Sequence, residues 1–301
     1  MKISVDIGNR NMKVCYKEGD EIKFIVFQSR YSTEEQIDYG SAEVIELDGI
    51  KYCIEQGAYD YEFNKTEKDY LPLLLTAISR VLRIKGSQND ENIELMIGSP
   101  VEHVIGLRNK FKEQLLGQEF EYKYRDKAMK IKINKLGVIG EGFATYFCIP
   151  NAIKDANKNL GICDIGGRTI NIATFIKGKQ DKFCTINFGT LDIKNDILRE
   201  EKSKGKDYDL NIIENLLESQ RLEIPEVAKK RVVEKIINDA KIYKIDISLY
   251  KWIVTGGGAI DLGKEIVDEH FGKDCTMENP IFSNVLGYYN FMIAKWGEDI
   301  G

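Results

Sequence analysis

Apolar and polar positions alternate from Lys2 to Asp6, pause at Gly8 and resume from Met12 to Tyr16, the period-two signature of two strands around a tight turn. A third strand is expected over Glu21–Phe27, after the Glu18-Gly19-Asp20 turn. Val44 to Ile54 predicts a hairpin, because Asp48-Gly49 supplies the two positive φ angles of a type I′ turn between apolar-rich arms. The period then changes: apolar residues at 71, 74, 75, 78, 81 and 82 share one helical face. A strand over Ile93–Ile97 ends at Gly98-Ser99-Pro100, a helix follows over Val104–Leu116, and a strand pair is expected near 120–134. The second half begins the pattern again. Strands are expected at 161–165, Thr169–Ile176 and Phe183–Phe188, then a helix and loop over Lys194–Asp209 whose charges read as a solvated face. A long helix starts at Ile224-Pro225-Glu226 with proline in its first turn and runs to about Tyr243. Trp252-Ile253-Val254 reads as a buried strand, followed by helices over Ile260–Phe271 and Asn284–Trp296.

Composition narrows the class. The 301 residues carry 43 basic and 48 acidic side chains, 43 − 48 = −5, and are 43% hydrophobic, which suits a globular chain of about two domains. A net negative charge without a long basic run argues against direct nucleic-acid binding. No run reaches the 18 or so apolar residues of a spanning helix. Asp6 sits where a signal peptide needs its apolar segment, so the expectation is a cytoplasmic protein with no membrane partner. The six cysteines form no CxxC pair and lie mostly in apolar runs, as reduced buried thiols do. With only His103 and His270, a zinc site or a histidine-based triad has little support.

Two segments echo each other. Val5-Asp6-Ile7-Gly8-Asn9-Arg10-Asn11-Met12-Lys13-Val14 and Cys163-Asp164-Ile165-Gly166-Gly167-Arg168-Thr169-Ile170-Asn171-Ile172 each run an apolar strand into Asp-Ile-Gly, a polar tip and a returning strand. Such a tip presents clustered backbone N–H groups, and glycine allows close approach of a phosphate. Asp6 and Asp164 at the strand ends suit a hydrated Mg²⁺, which takes few carboxylates and keeps its waters. Lys13 can add a point charge toward phosphates. One such turn alone is commonplace; two, each flanked by strands, point to one site served by two related lobes. Glu141, between Gly140 and Gly142 where a strand is expected to enter a helix, can orient or deprotonate a water, or serve as a helix N-terminal acid. Thr255-Gly256-Gly257-Gly258 is a bare strand–loop–helix junction suited to a nucleotide's sugar or α-phosphate, or simply a loop.

The order of these segments resembles the actin, Hsp70 and sugar-kinase superfamily, most closely its bacterial actin-like branch and the plasmid-segregating ParM-type filament proteins. Asp6 to Lys13 looks like the first phosphate loop and Asp164 to Thr169 like the second. Gly140-Glu141-Gly142 and the helix with Asn284 to Tyr289 look like the connecting segments, and Thr255 to Ala259 like the adenosine motif. Asp48 to Ala58, with a sequel over Lys65 to Leu82, resembles the branch's small-subdomain hairpin. Asn9, Arg10 and Arg168 depart from the small or hydroxyl residues usual in these turns, which leaves GTP as an alternative to ATP.

The resemblance implies an α/β actin-like fold of two lobes with the nucleotide in the cleft between them. Lobe I is expected over 1–143 plus 280–301, with a small subdomain at about 28–68, and lobe II over 144–279. It implies Mg·NTP bound by Gly8, Asn9, Arg10, Asn11 and Lys13, by Gly166, Gly167 and Arg168, and by Gly256, Gly257 and Gly258. Asp6 and Asp164 would organise the metal's waters, and Glu141, helped by Thr169, would position the hydrolytic water. Filament assembly by self-association and a basic, DNA-binding adaptor of the ParR type are implied with it. The alternatives are a small-molecule kinase of the same superfamily and a scaffold filament for cell organisation.

Overall fold

The structure is a computed structural model that describes residues 1–33, 43–59, 69–87, 91–151, 153–154 and 159–297. The chain divides into two units. Unit 1 comprises Met1–Ser99, His103–Cys148 and Asn284–Gly301, and unit 2 comprises Pro100–Glu102 and Ile149–Ser283.

Among the described residues unit 1 holds nine strands: β1 (Lys2–Ile7), β2 (Asn11–Glu18), β3 (Glu21–Gln28), β4 (Arg30–Ser32), β5 (Val44–Leu47), β6 (Ile50–Tyr59), β7 (Glu91–Ser99), β8 (Glu119–Tyr124) and β9 (Lys127–Gly140). They form one sheet in the order β3-β2-β1-β7-β9-β8-β5-β6-β4. β1 is antiparallel to β2 and parallel to β7, which is parallel to β9. The β5–β6 turn has Asp48 and Gly49 at φ 52° and 79°, as the Asp-Gly pair predicts. Helix α1 (Leu71–Ile84), with proline in its first turn, covers one sheet face with Leu74, Ile78 and Val81 against Ile3, Val5, Val14 and Ile97. Helix α2 (Val104–Leu115) anchors through Phe111 and Leu115. Arg80 on α1 donates to Glu43 through Nε and Nη2 and reaches Glu55 at 3.0 Å, while the Tyr124 hydroxyl donates to Glu43. This network ties α1 to the far end of the sheet.

Unit 2 repeats the order on a smaller scale. β10 (Leu160–Ile165), β11 (Ile170–Ile176), β12 (Lys179–Ile186) and β13 (Lys251–Thr255) run β12-β11-β10-β13. β10 is antiparallel to β11 and parallel to β13, as β1 is to β2 and β7. A parallel bridge from Val254 to Thr276 stands in the fifth place. Helices α3 (Thr190–Ser203), α4 (Leu210–Glu218), α5 (Glu226–Ile242), α6 (Gly257–Leu262) and α7 (Lys264–Phe271) follow. The chain then leaves as α8 (Ser283–Trp296), whose residues from Asn284 onward belong to unit 1.

Several sequence-based expectations change. The helix expected over Ile260–Phe271 is two, because Gly263 at φ 83° breaks it. Glu141 does not lead into an α-helix: Gly142 turns at φ 71° and a short 3₁₀ turn over Phe143–Phe147 follows. Pro225 caps α5 instead of lying inside it. The third strand of unit 2 begins at Lys179, and β4 and α4 have no counterpart in the hydropathy reading. Lys194 is not on a solvated face. It is 2% exposed and sits 3.2 Å from Asp261 and 3.6 Å from Glu214, joining α3, α4 and α6. Part of the expected subdomain at 28–68, with Lys65, lies outside the described residues. No disulfide joins the six cysteines, and burial pushes the Cys15 and Cys163 thiols up, so both are inert. Among the described residues no helix is long and apolar enough to cross a membrane.

Candidate functional site

In unit 1 the strand faces sort the site residues. Ile3, Val5, Ile7, Met12, Val14, Ile97 and Val138 point toward the α1 core, so Ser4, Asp6, Lys13 and Ile139 lie on the opposite face by strand alternation. Ser4 hydroxyl donates to the Val285 carbonyl of α8 at 2.8 Å, which identifies that face as the α8 side. Asp6 is 4% exposed and faces Lys13 across the hairpin, with Nζ–Oδ2 at 2.9 Å. Lys13, expected on the phosphates, therefore compensates the carboxylate in this structure. The Gly8-Asn9-Arg10-Asn11 tip is tight: a Cβ on Gly8 would lie 2.4 Å from the Asn11 carbonyl oxygen. The Arg10 carbonyl accepts from Ser29 N–H at 2.8 Å, and the buried Oδ1 of Asn9 has no partner.

At the end of β9 the backbone of Glu141 is clamped. Its N–H donates to the Ser99 carbonyl at 2.8 Å and its carbonyl accepts from Phe143 N–H at 2.8 Å. Asn284 at the start of α8 accepts from Gly142 N–H at 2.9 Å and from the Thr145 hydroxyl at 3.2 Å. Glu141 is 7% exposed. α8 is seated by two glycines, since a Cβ on Gly287 would meet the Ala144 carbonyl at 2.0 Å and one on Gly98 would meet the Tyr288 hydroxyl at 1.9 Å. Asn284 as a clamp escapes sequence reasoning; an asparagine opening a helix is its only local signal.

In unit 2 the second hairpin repeats the first. Ile165 pairs with Ile170 as Ile7 pairs with Met12, and Gly166 N–H donates to the Thr169 carbonyl at 2.9 Å to close the tip. Asp164 is 5% exposed, lies opposite Asn171, and shares with Asn171 and Thr255 the face away from the unit's core. The N–H groups of Thr190 and Leu191 donate to the Gly166 and Gly167 carbonyls at 3.1 and 2.9 Å, so α3 begins directly on the hairpin tip. With those carbonyls engaged, the tip is left to offer N–H groups, the polarity an anion needs. The triple glycine comes against the same strand end: a Cβ on Gly256 would lie 2.4 Å from the Ile165 carbonyl and 2.5 Å from Asp164 Oδ1. A Cβ on Gly258 would strike Ile165, whereas one on Gly257 would meet nothing within 4 Å. Thr255 and Ser283 hydroxyls both donate to the Pro280 carbonyl and hold the approach to this loop.

Residues 4–143 match the family model for the N-terminal domain of actin-like proteins. Solved structures match over nearly the whole chain. An archaeal actin homologue, Ta0583, superposes with a TM-score of 0.80 at 17% identity, covering 96% of this chain and 98% of its own. The chain has the actin-like fold. The ParM protein of psk41 aligns at 19% identity and TM-score 0.70, covering 98% of this chain and 97% of its own. AlfA from the B. subtilis plasmid pLS32, solved as a filament, aligns at 20% identity and TM-score 0.70, covering 99% of both chains. Ta0583 is also solved with ADP, and the AlfA filament with AMPPNP. No curated protein matches this chain at the level of sequence. The repeated sheet order of the actin-like fold is thus present in both units.

The residues of this actin-like chain fit a magnesium nucleotide in their chemistry. Each hairpin offers oxygen ligands from one nine-tenths-buried aspartate, and no cluster of three or more His, Cys, Asp or Glu fit to hold a metal occurs among the described residues. That donor set suits a cation that keeps its waters and takes phosphate oxygens. The open space beside Gly257, where a Cβ would meet nothing within 4 Å, and the orphaned Asn9 oxygen suit a close polar ligand.

Proposed function

We propose that this actin-like chain binds Mg·ATP, with GTP the alternative, hydrolyses it, and polymerises into dynamic filaments that segregate plasmid or other DNA in the cytoplasm. The observation that carries the reading is the pair of hairpins with one backbone design, each ending in a buried aspartate on the face away from its own core. The tip amides of Gly8–Asn11 and Gly167–Thr169 neutralise phosphate charge beside Gly166, Arg10 and Arg168 add cations, and Gly256–Gly258 admit the nucleoside end. Asp6 and Asp164 would hold a metal's waters, and the metal would supply charge neutralisation on the phosphates when bound. Lys13 pairs with Asp6 at 2.9 Å and can exchange that partner for phosphate oxygens. Glu141, held by Ser99 and by the Asn284 clamp on Gly142, orients the attacking water and takes its proton, with Thr169 assisting.

Filament assembly is supported by the AlfA filament, and a head-to-tail contact between identical subunits propagates because it does not close. DNA is reached through a basic adaptor of the ParR type, since a chain of charge −5 has no bulk attraction for a polyanion. The test follows light scattering and phosphate release together after mixing the protein with Mg·ATP or Mg·GTP. Scattering that appears above a critical concentration, with phosphate release trailing it, is the expected result. Turnover that waits for an added sugar or acid, without scattering at tens of micromolar, would replace this reading by a small-molecule kinase.

A further inference from the structure

A cavity of about 240 Å³ opens in unit 1 where the C-terminal end of α1 meets the β8–β9 turn. Its floor is Tyr124, Ala128 and Met129, and its described rim carries Arg83, Arg125 and Lys127. The charges here do not cancel. Arg83 and Lys127 enter no ion pair among the described residues, and Arg125 reaches one carboxylate, Glu43, at 3.7 Å. Glu43 already accepts from Arg80 and from the Tyr124 hydroxyl. The Ser87 hydroxyl is engaged by Glu91, and Ser79 by the Leu75 carbonyl and Tyr122, so the unspent cations are Arg83 and Lys127, with Arg125 shared with Glu43.

Two backbone features keep this arrangement in place. Gly86 and Ser87 N–H groups donate to the Arg83 and Leu82 carbonyls at 3.2 and 3.0 Å, which satisfies two of the terminal carbonyls of α1 and holds the chain at the cavity edge. Arg125 and Asp126 both turn at positive φ, 49° and 61°, a strained choice for a turn without glycine. That turn fixes Arg125 beside Lys127 at the cavity mouth.

We propose that this cavity binds a small phosphate monoester with an apolar body. The two uncompensated cations, Arg83 and Lys127, match a dianion, which a phosphate monoester becomes above its second pKa of about 6, and arginine's planar fork suits phosphate oxygens. The apolar floor takes the remainder of the molecule. The volume is several times the ~30 Å³ of a water but below the ~300 Å³ where drug-sized ligand pockets begin, so a nucleoside triphosphate is too large.

Phenyl phosphate is the probe, titrated calorimetrically into the full chain at low salt with excess ADP present to fill any nucleotide site. The expected result is saturable one-to-one binding with Kd near or below ~1 mM, at least tenfold weaker in the Arg83→Gln/Lys127→Gln double variant, with ADP binding unchanged in that variant. Benzoate and inorganic phosphate should each bind at least tenfold more weakly than phenyl phosphate. Absence of saturable heat at tens of millimolar, undiminished binding in the double variant, or equal affinity for either control anion would each overturn the assignment. If ADP does not bind, that failure belongs to the nucleotide reading, and the comparison of wild type with the double variant still decides this one.

Discussion

Two adjacent glycines separate fold from ligand in unit 2. Gly256 sits at φ 85° and ψ 168°, a region that side chains avoid at a cost of roughly 1–3 kcal/mol. Its Cβ would also stand 2.4 Å from the Ile165 carbonyl and 2.5 Å from Asp164 Oδ1, and overpacking of that kind costs a further ~1–3 kcal/mol. Gly256→Ala should therefore lose about 2–6 kcal/mol, a fall in Tm of roughly 3–10 °C for a chain of this size. Gly257→Ala should behave oppositely. Its Cβ meets nothing within 4 Å and lies in the first turn of α6, where alanine is favoured over glycine by up to ~1 kcal/mol. If nucleotide approaches the bare backbone at that point, the added methyl group should weaken nucleotide binding tenfold or more, about 1.4 kcal/mol, while Tm stays level or rises. Thermal denaturation with and without Mg·ADP, together with calorimetric titration of ADP, measures both quantities. A Gly257→Ala variant that melts early would refute the packing argument, and one that binds ADP like wild type would refute the ligand argument.

Further expectations address unit 1. Glu141→Gln should retain nucleotide affinity within a few-fold while phosphate release falls on the order of 10²–10⁴-fold; equal losses of binding would make Glu141 a structural residue. Asn284→Ala orphans Gly142 N–H and the Thr145 hydroxyl, so Tm should drop by the equivalent of ~1–3 kcal/mol, and Asn284→Asp, which keeps an acceptor, should recover most of it in a melting assay. Burial alone would raise the Glu43 carboxyl, but the hydrogen bonds from Arg80 and Tyr124 outweigh it and hold the group below its ordinary 4.5. A depressed carboxyl stabilises above its unfolded value and stops doing so as pH falls through the folded one. Wild-type stability should thus decline below about pH 4.5, and Glu43→Gln should be less stable at pH 7 and show a flatter acid limb in urea titrations.

What could be read in advance depended on how local the cause was. The hairpin tips are legible because glycine, a short polar turn and alternating arms all act within ten residues, and the Asp48-Gly49 turn is legible for the same reason. The break at Gly263 is not, since an isolated glycine in a helical pattern is usually tolerated and only its φ of 83° reveals the stop. Lys194 was unreadable for a different reason. In a run of charged residues it looks solvated, and the carboxylates that bury it, Glu214 and Asp261, arrive from α4 and α6. The Asn284 clamp and the neutralisation of Asp6 by Lys13 are likewise tertiary events. The first joins residues 142 apart, and the second needs the hairpin register to set the two side chains opposite each other.

Strand β9 counts its residues unevenly, and that decides on which face the residue just beyond it, Glu141, falls. Ile93 of β7 lies opposite Ile133, but Glu94 lies opposite Lys135, so Asn134 is a supernumerary residue in the ladder. Before it the odd positions Met129, Ile131 and Ile133 feed the α1 core; after it the even positions Leu136 and Val138 do. The core keeps one face throughout, while odd and even exchange roles. Ile139, and Glu141 in step with it, are thereby handed to the α8 side, where Asn284 meets the next residue. Excising Asn134 would restore an unbroken alternation and leave the strand a choice between two losses: turn Leu136 and Val138 out of the core, or slide the whole segment by one residue and draw Glu141 back along the strand. An exposed asparagine with no contact to the chemistry thus sets the handedness of the site, much as one dropped stitch sets the slant of a knitted edge.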